Sequence, residues 1–556
     1  MNKIHSFHPL LNWLLPILIF TCCGSPGKKD GTAITGEKPR KVFRYNEAAG
    51  ISSLDPAFAR NVENIWAVNQ VFNGLVQMDE KLNIVPCIAQ TWKITEYGLK
   101  YTFHLRNDVY FQDHEKFDGG KGRKVTAADF KHSFFRITDP EVASPGAWIF
   151  NNLDRSKGFS GFDSPDDSTF ILWLQKPFAP FLGLLTTQYC SVVPHEIVEF
   201  YGKDFRNHPV GTGPFRFKQW EEGVKLILVK NENYFEKSDG QQLPRFNAIS
   251  VAFLSDPHAA FLEFLKGELD FLSGLEPGYK DLVLTKNGEL NPEFNGKFIM
   301  QGEPYLKTDY IGILVDESMD IVKKSPLQNK LVRQAINYGI NRVDIVRFLR
   351  NNVGTPGISG FIPAGLPSFD STRVRGYNYN PEKARTLLAE AGFENGDGLP
   401  ETVLTTTSAF LDVLEYVQYQ LGEIGIKIKI EVVPAATHRE MVARGNVNFF
   451  RKTWVADYPD AENFLACFYS KNFSPAGPNY THFHNENFDR LYEKSQSELL
   501  DSVRFGYYRQ MDQIIMDEAP VVVLYYDRIV RLVQNNISGI TCNPMNLLTL
   551  KKADKK

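Results

Sequence analysis

Cysteine is scarce: six in 556 residues, and Cys87, Cys190, Cys467 and Cys542 lie too far apart for a zinc cluster or a redox pair. A small disulfide scaffold is thereby excluded, and mostly buried thiols are expected. No charge of one sign dominates, because 62 Lys+Arg against 65 Asp+Glu leave −3. Nucleic acid needs a concentrated basic face, so it is not an expected partner. Beyond residue 20 no apolar run could span a bilayer; the stretch 170–185 is broken by Gln175, Lys176, Pro177 and Pro180. Catalytic signatures are missing too, with no GxSxG, HExxH, GxxxxGK[ST] or GxGxxG. Gly211-Thr212-Gly213-Pro214 has only two of the three glycines of a dinucleotide loop and reads as a structural turn. Asp163, Asp166 and Asp167 beside Pro165 read as a solvated turn. The chain is expected to be no enzyme, with no cofactor and no metal.

What is present is bulk and mixed periodicity. The chain is 43% apolar and 13% aromatic, with 42 Phe, which suits several cores and a ring-lined pocket. At the start, Lys3 precedes Leu10–Phe20, where nine of eleven residues are apolar. That is a signal-peptide core, short of the roughly 20 residues of a spanning helix. Ile19-Phe20-Thr21-Cys22 looks like a bacterial lipobox, so residues 1–21 are expected to be a signal peptide and Cys22, or alternatively Cys23, to carry lipid. Residues 22–41 then read as a flexible tether.

Along the body, Tyr101, Phe103 and Leu105 alternate as a strand and Val224–Val229 reads as another. Asn380 and Pro381 open a helix that Gly392 closes. Leu331, Val332, Ala335, Ile336, Ile340 and Val343 predict an amphipathic helix, and Leu411–Leu421 a further one running through Gly425 into the strand 426–433. The class is α/β or α+β. No long linker divides the body, which favours domains built from interleaved segments.

One stretch carries binding chemistry: Arg451-Lys452-Thr453-Trp454-Val455-Ala456-Asp457-Tyr458-Pro459-Asp460, following the strand-like 448–450. Arg451 and Asp457 place both signs of charge beside a large ring, which suits a zwitterion. The extended backbone between them could pair with a peptide as an added strand. From these residues alone a surface strand with a local ion pair is the competing reading.

Several segments in order resemble family 5 extracellular solute-binding proteins, the oligopeptide- and dipeptide-binding components of ABC importers. They are Ser53-Leu54-Asp55-Pro56, 71–75, 84–89, Gly98–Arg106, 125–130, Pro209–Phe215, Gly267-Glu268-Leu269-Asp270, 332–337 and the Pro381–Gly392 helix. The resemblance implies an α/β type II periplasmic-binding-protein fold, two lobes with a hinge and an extra domain inserted in the first lobe. It places the first-lobe core at 42–75, 188–285 and 515–556, the extra domain at 76–187 and the second lobe at 286–514. It also implies that Asp457 meets a peptide amine, that Thr453 and Val455 flank Trp454 as the strand that pairs with the peptide, and that Arg451 can meet a carboxylate. Arg60, Asn61 and Val62 match the first-lobe segment on the peptide's other edge, and Tyr525, with Tyr526, resembles a pocket-lining pair. Arg60 stands where oligopeptide binders have an acidic residue, Leu411 where a histidine can occur, and Asp316 where asparagine is common. The expected function is capture of short peptides and delivery to an ABC permease, by an extracytoplasmic monomer anchored to the membrane by lipid. The alternatives are a ligand-sensing lipoprotein on the same scaffold, or a binder of a nickel complex, haem or sugar.

Overall fold

The structure, a computed structural model, describes residues 40–556. The expected signal peptide, Cys22, Cys23 and all but the last two tether residues lie outside the described residues. Lys41 is already part of the fold: its ammonium is 2.7 Å from Asp554 and its backbone N–H donates to Asn247.

An 11-stranded sheet runs through the whole. From one edge its strands are Ile428–Val432, Thr402–Thr406, Phe449–Val455, Phe298–Ile313, Val521–Gln534, Phe271–Ser273, Val42–Asn46, Ala248–Ala252, Lys225–Lys230 and Phe215–Glu221, with Thr355–Pro356 added beside Val521–Gln534. Two of these strands are long, 16 residues for Phe298–Ile313 and 14 for Val521–Gln534, and they pair antiparallel. A separate four-stranded sheet, Ala89–Thr95, Lys100–Leu105, Thr169–Trp173 and Phe162–Asp166, falls within the span expected for the extra domain.

The cores explain the division. One gathers Phe43, Tyr45, Trp66, Phe103, Phe130, Ile249 and the tail residues Leu548 and Leu550. Two others sandwich the far end of the large sheet. On one face lie Ile336, Leu388, Leu414 and Leu421 against Ile311, Phe449 and Leu524; on the other, Phe464, Phe488, Tyr508 and Met511 against Tyr310 and Tyr526. Each fully buried ring or branched chain contributes about 1.5–3 kcal/mol relative to exposure. The two long strands belong to both sides: Phe298 and Leu532 pack in a satellite core with Phe261 and Phe264, whereas Tyr310 and Val523 pack in the far one. Their pairing shifts register between Pro304 and Thr308 and again between Asp309 and Tyr310, so the crossing point bends where proline removes a ladder donor. The expected lobe boundary at 514/515 lies inside the helix Asp501–Glu518, whose Ile515 and Met516 pack in the far core together with Val521 and Tyr526.

Local expectations meet the structure in most places. The helix Pro381–Glu390 is capped by the Asn380 side chain, which accepts from the Lys383 N–H at 3.0 Å, and Gly392 turns at φ +88°. The 211–213 turn is structural: a Cβ on Gly211 or Gly213 would stand 2.2–2.4 Å from the Val71 backbone. The helix expected through Val343 instead stops at Tyr338, and Val343 is exposed. The reason is Arg342, which turns inward and is 2% exposed. Its guanidinium donates to the carbonyls of Asn337, Ile340 and Val523 and to Asn337 Oδ1, consuming the carbonyls that a continuing helix would have used. Arg342→Leu strands these buried acceptors and is expected to cost about 3–5 kcal/mol, read as a shift of the urea midpoint with unchanged secondary structure below it.

Candidate functional site

The first wall grows from the Ser53-Leu54-Asp55-Pro56 segment. Asp55 caps the turn Pro56–Phe58 by accepting from the Ala57 N–H at 3.0 Å, and Arg136 grips its carboxylate with two bonds of 3.0 and 2.6 Å. Ser144 donates to the Ala57 carbonyl and Gln188 to the Ala59 carbonyl, each at 2.6 Å. This bracing holds Arg60, Asn61 and Val62 exposed at the start of the helix Val62–Val71.

The second wall is the strand Phe449–Val455 and the turn after it. One edge pairs with Phe298–Ile313 over its full length. The other edge meets Thr402–Thr406 only at Phe449 and Phe450, so from Arg451 to Val455 it carries no strand among the described residues. Alternation then sends neighbours to opposite faces. Arg451 and Thr453 point with Asp309 and Tyr525; Lys452 and Trp454 point with Tyr310 and Tyr526. Asn463 fixes the turn: its Oδ1 accepts from Trp454 Nε1 at 3.0 Å and from the Asp457 N–H at 3.2 Å, and its Nδ2 donates to Asp457 Oδ2 at 3.3 Å.

The walls meet around Asp457. The Arg60 guanidinium acts electrostatically on Asp457, Tyr189, Tyr480 and Lys452, although it stands beyond ion-pair distance from the carboxylate. Beside it the lobes touch, where the Tyr458 ring packs on Trp148 at 6.4 Å and the Ala179 N–H donates to the Gln496 carbonyl at 2.9 Å. Asp457 is exposed, yet its carboxyl titrates above the ordinary range. Solvent reaches the group, but the surrounding walls displace bulk water at longer range, and this outweighs the opposing pull of Asn463 and Arg60. Lys452 is half-buried on the Tyr480 ring at 3.9 Å; burial, aided by Arg439, Arg451 and Arg60, pushes its ammonium down to about 8.

Not every expected residue faces the cleft. Arg451 is 7% exposed, stacks on Phe410 and is paired with Asp309, which also accepts from Thr453 Oγ1 at 2.7 Å. Tyr525 is 2% exposed with Arg350 over its ring at 4.1 Å, and the Tyr526 hydroxyl donates to the Gly360 carbonyl. Asp457, Val455 and Arg60 are exposed, and Trp454 is half-buried. The sequence reading missed Asn463 and left Lys452 without a role. A buried amide before Phe464 and Leu465 was the available signal for the first.

A Ser–His–Asp alignment occurs elsewhere in the second lobe. His482 Nδ1 is 3.3 Å from Asp316 Oδ2, and Nε2 is 3.2 Å from Ser474 Oγ. Nε2 is nearer still, 3.0 Å, to the Ser474 carbonyl, which can only accept. It therefore donates there, and Ser474 is buried, so the arrangement clamps the loop. Among the described residues no group of three His, Cys, Asp or Glu could hold a metal, and no helix is long and apolar enough to cross a membrane. Cys87, Cys190 and Cys467 are buried free thiols and Cys542 is half-buried.

Residues 83–475 match the family model of bacterial extracellular solute-binding proteins, family 5 Middle, which is well over half of the chain. This chain is a family 5 solute-binding protein. The glutathione-binding protein GsiB of Salmonella choleraesuis is 26% identical over 514 residues, covering 91% of this chain and 93% of that one. The periplasmic binding protein DppA of Helicobacter pylori, solved with the peptide STSA, superposes with a TM-score of 0.74 at 25% identity, covering 92% and 99%. NikZ of Campylobacter jejuni, solved with Ni(L-His), shares the fold with a TM-score of 0.71 at 20% identity, covering 92% and 96%. The family 5 protein thus has the α/β two-lobed type II periplasmic-binding-protein fold. It works outside the cytoplasm and binds solutes; it does not transform them.

Beside the site lies a pH-sensitive brace. Glu462, buried, accepts from the hydroxyls of Tyr458 and Tyr492, and burial raises its carboxyl to about 7 despite both hydroxyls. The folded state therefore keeps a proton that the unfolded chain releases near 4.5. The stability tied to that proton is full below the unfolded value and is lost as pH rises through 7, by up to about 3 kcal/mol. Thermal midpoints at pH 5 and 8 should show this decline in the family 5 protein and a flatter profile in Glu462→Gln.

Proposed function

We propose that this protein captures short peptides between its lobes and delivers them to the permease of an ABC importer, held at the membrane by lipid on Cys22 or Cys23. The observation that carries this reading is the pairing of an unoccupied sheet edge, Arg451–Val455, with the Asp457 carboxylate at its end. A peptide laid along that edge makes main-chain bonds that ignore its side chains, while its amine reaches a carboxylate held, among the described residues, by one amide. Thr453 and Val455 flank the edge, Trp454 stacks beneath it, and Arg60, Asn61 and Val62 close the other side. Arg451 and Tyr525 act from below, through Asp309 and the strand, by holding the edge in register. The glutathione- and peptide-binding relatives support the same class of ligand. A monomer suffices, since both walls come from one chain.

Native mass spectrometry of the protein purified without denaturation tests the reading. A ladder of short peptides is expected; a single non-peptide mass would overturn it. In calorimetry, Asp457→Ala is expected to weaken peptide binding by about 3–5 kcal/mol, because the ligand ammonium is then buried unpaired.

A further inference from the structure

Charges in the cleft do not balance. Asp457 has no ion pair among the described residues and feels the charge of Arg60. Arg60 acts with Arg439 on Lys452, and none of these three cations has an ion pair among the described residues. Arg60 and Arg439 are exposed, the latter on the helix Ala435–Ala443, and water relieves them. Lys452 has no such relief. It is half-buried against the Tyr480 ring, with no carboxylate within ion-pair distance among the described residues, and both arginines act on it from outside. Arg451 adds its field from the opposite face of the strand, although Asp309 balances that charge locally. A zwitterionic peptide would neutralise Asp457 and one cation, and leave positive charge in a site that loses water on closure.

We propose that the cleft selects acidic peptides, with Lys452, flanked by Arg60 and Arg439, receiving a ligand carboxylate beyond the terminal one. The inference rests on the peptide reading above. Its physical basis is relief of repulsion. Gathering like charges around a poorly hydrated ammonium costs energy in the empty cleft, and an anionic side chain removes that cost while making a charge-assisted bond. Burial is the main reason this ammonium gives up its proton more readily, and the arginines add to it. A lysine that only covered the Tyr480 ring would give no such preference.

The test is calorimetry with peptides of two to four residues, built on alanine with Ala, Glu or Lys at the second position. The glutamate peptides are expected to bind about tenfold or more tighter than their alanine counterparts, and the lysine peptides more weakly than either. Lys452→Gln should bring the glutamate-to-alanine ratio to within about threefold. The double variant Arg60→Gln, Arg439→Gln, which touches only exposed side chains, should lower the same ratio and covers the case in which Lys452→Gln fails to fold. Equal binding of the three series, or a preference for lysine, overturns the charge selection and leaves the peptide reading standing. Retention of the glutamate preference in both variants also overturns it. Binding of none of the peptides, with no peptide in the native mass spectrum, overturns both.

Discussion

The crossing of Phe298–Ile313 with Val521–Gln534 is the constraint on which the rest depends. These two strands are common to the cores on both sides, and their pairing breaks register at Pro304–Thr308 and at Asp309–Tyr310. At that break sits a row of buried and half-buried charge. Lys307 lies 2.7 Å from Asp527 and 3.4 Å from Asp309, Arg350 reaches Asp527, and Arg451 pairs with Asp309. Burial pushes the Asp527 carboxyl up, but Lys307 and Arg350 overcome this and hold it below its ordinary value. Charges drawn out of water need opposite charges beside them, so the network ties the two strands together at the crossing. A strand pair that is bent, paired over its length and electrostatically latched is a suitable axis for two lobes.

This network also redefines the binding strip. Arg451 and Asp457 stand six residues apart and look equivalent in sequence, but the pleat gives them different tasks. Arg451 is turned into the sheet and its charge is committed to Asp309. Asp457 lies past the strand end, where the Asn463 amide holds its backbone and one carboxylate oxygen. What the cleft offers a ligand is therefore what the fold has left unpaired: a sheet edge, one carboxylate and a surplus of cations. Family membership fixes the scaffold, while in the reading proposed above these unpaired groups choose the ligand.

Much of the fold was legible because its signals are local. Asn380, Pro381 and Gly392 mark a helix by capping chemistry that needs no tertiary partner. The alternation of Tyr101, Phe103 and Leu105 marks a strand, because one face must be buried. The helix drawn through Val343 failed because its ending depends on Arg342, whose acceptors include Val523, far along the chain. Asn463 escaped notice for a similar reason: its value lies in three bonds to a turn, which no pattern of spacing reveals.

By itself the sequence determined the class of the chain, the strip from Arg451 to Asp457 and the likeness to family 5, since these rest on residue types and spacings a few positions long. Only the tertiary structure decided which of those residues are left exposed and which are buried. That choice depends on the pleat of a strand paired with Phe298–Ile313 and on Arg60 arriving from nearly four hundred residues away. Whether a charge is paired, and how well water reaches it, is set by neighbours in space, so the surplus around Lys452 could not be read along the chain.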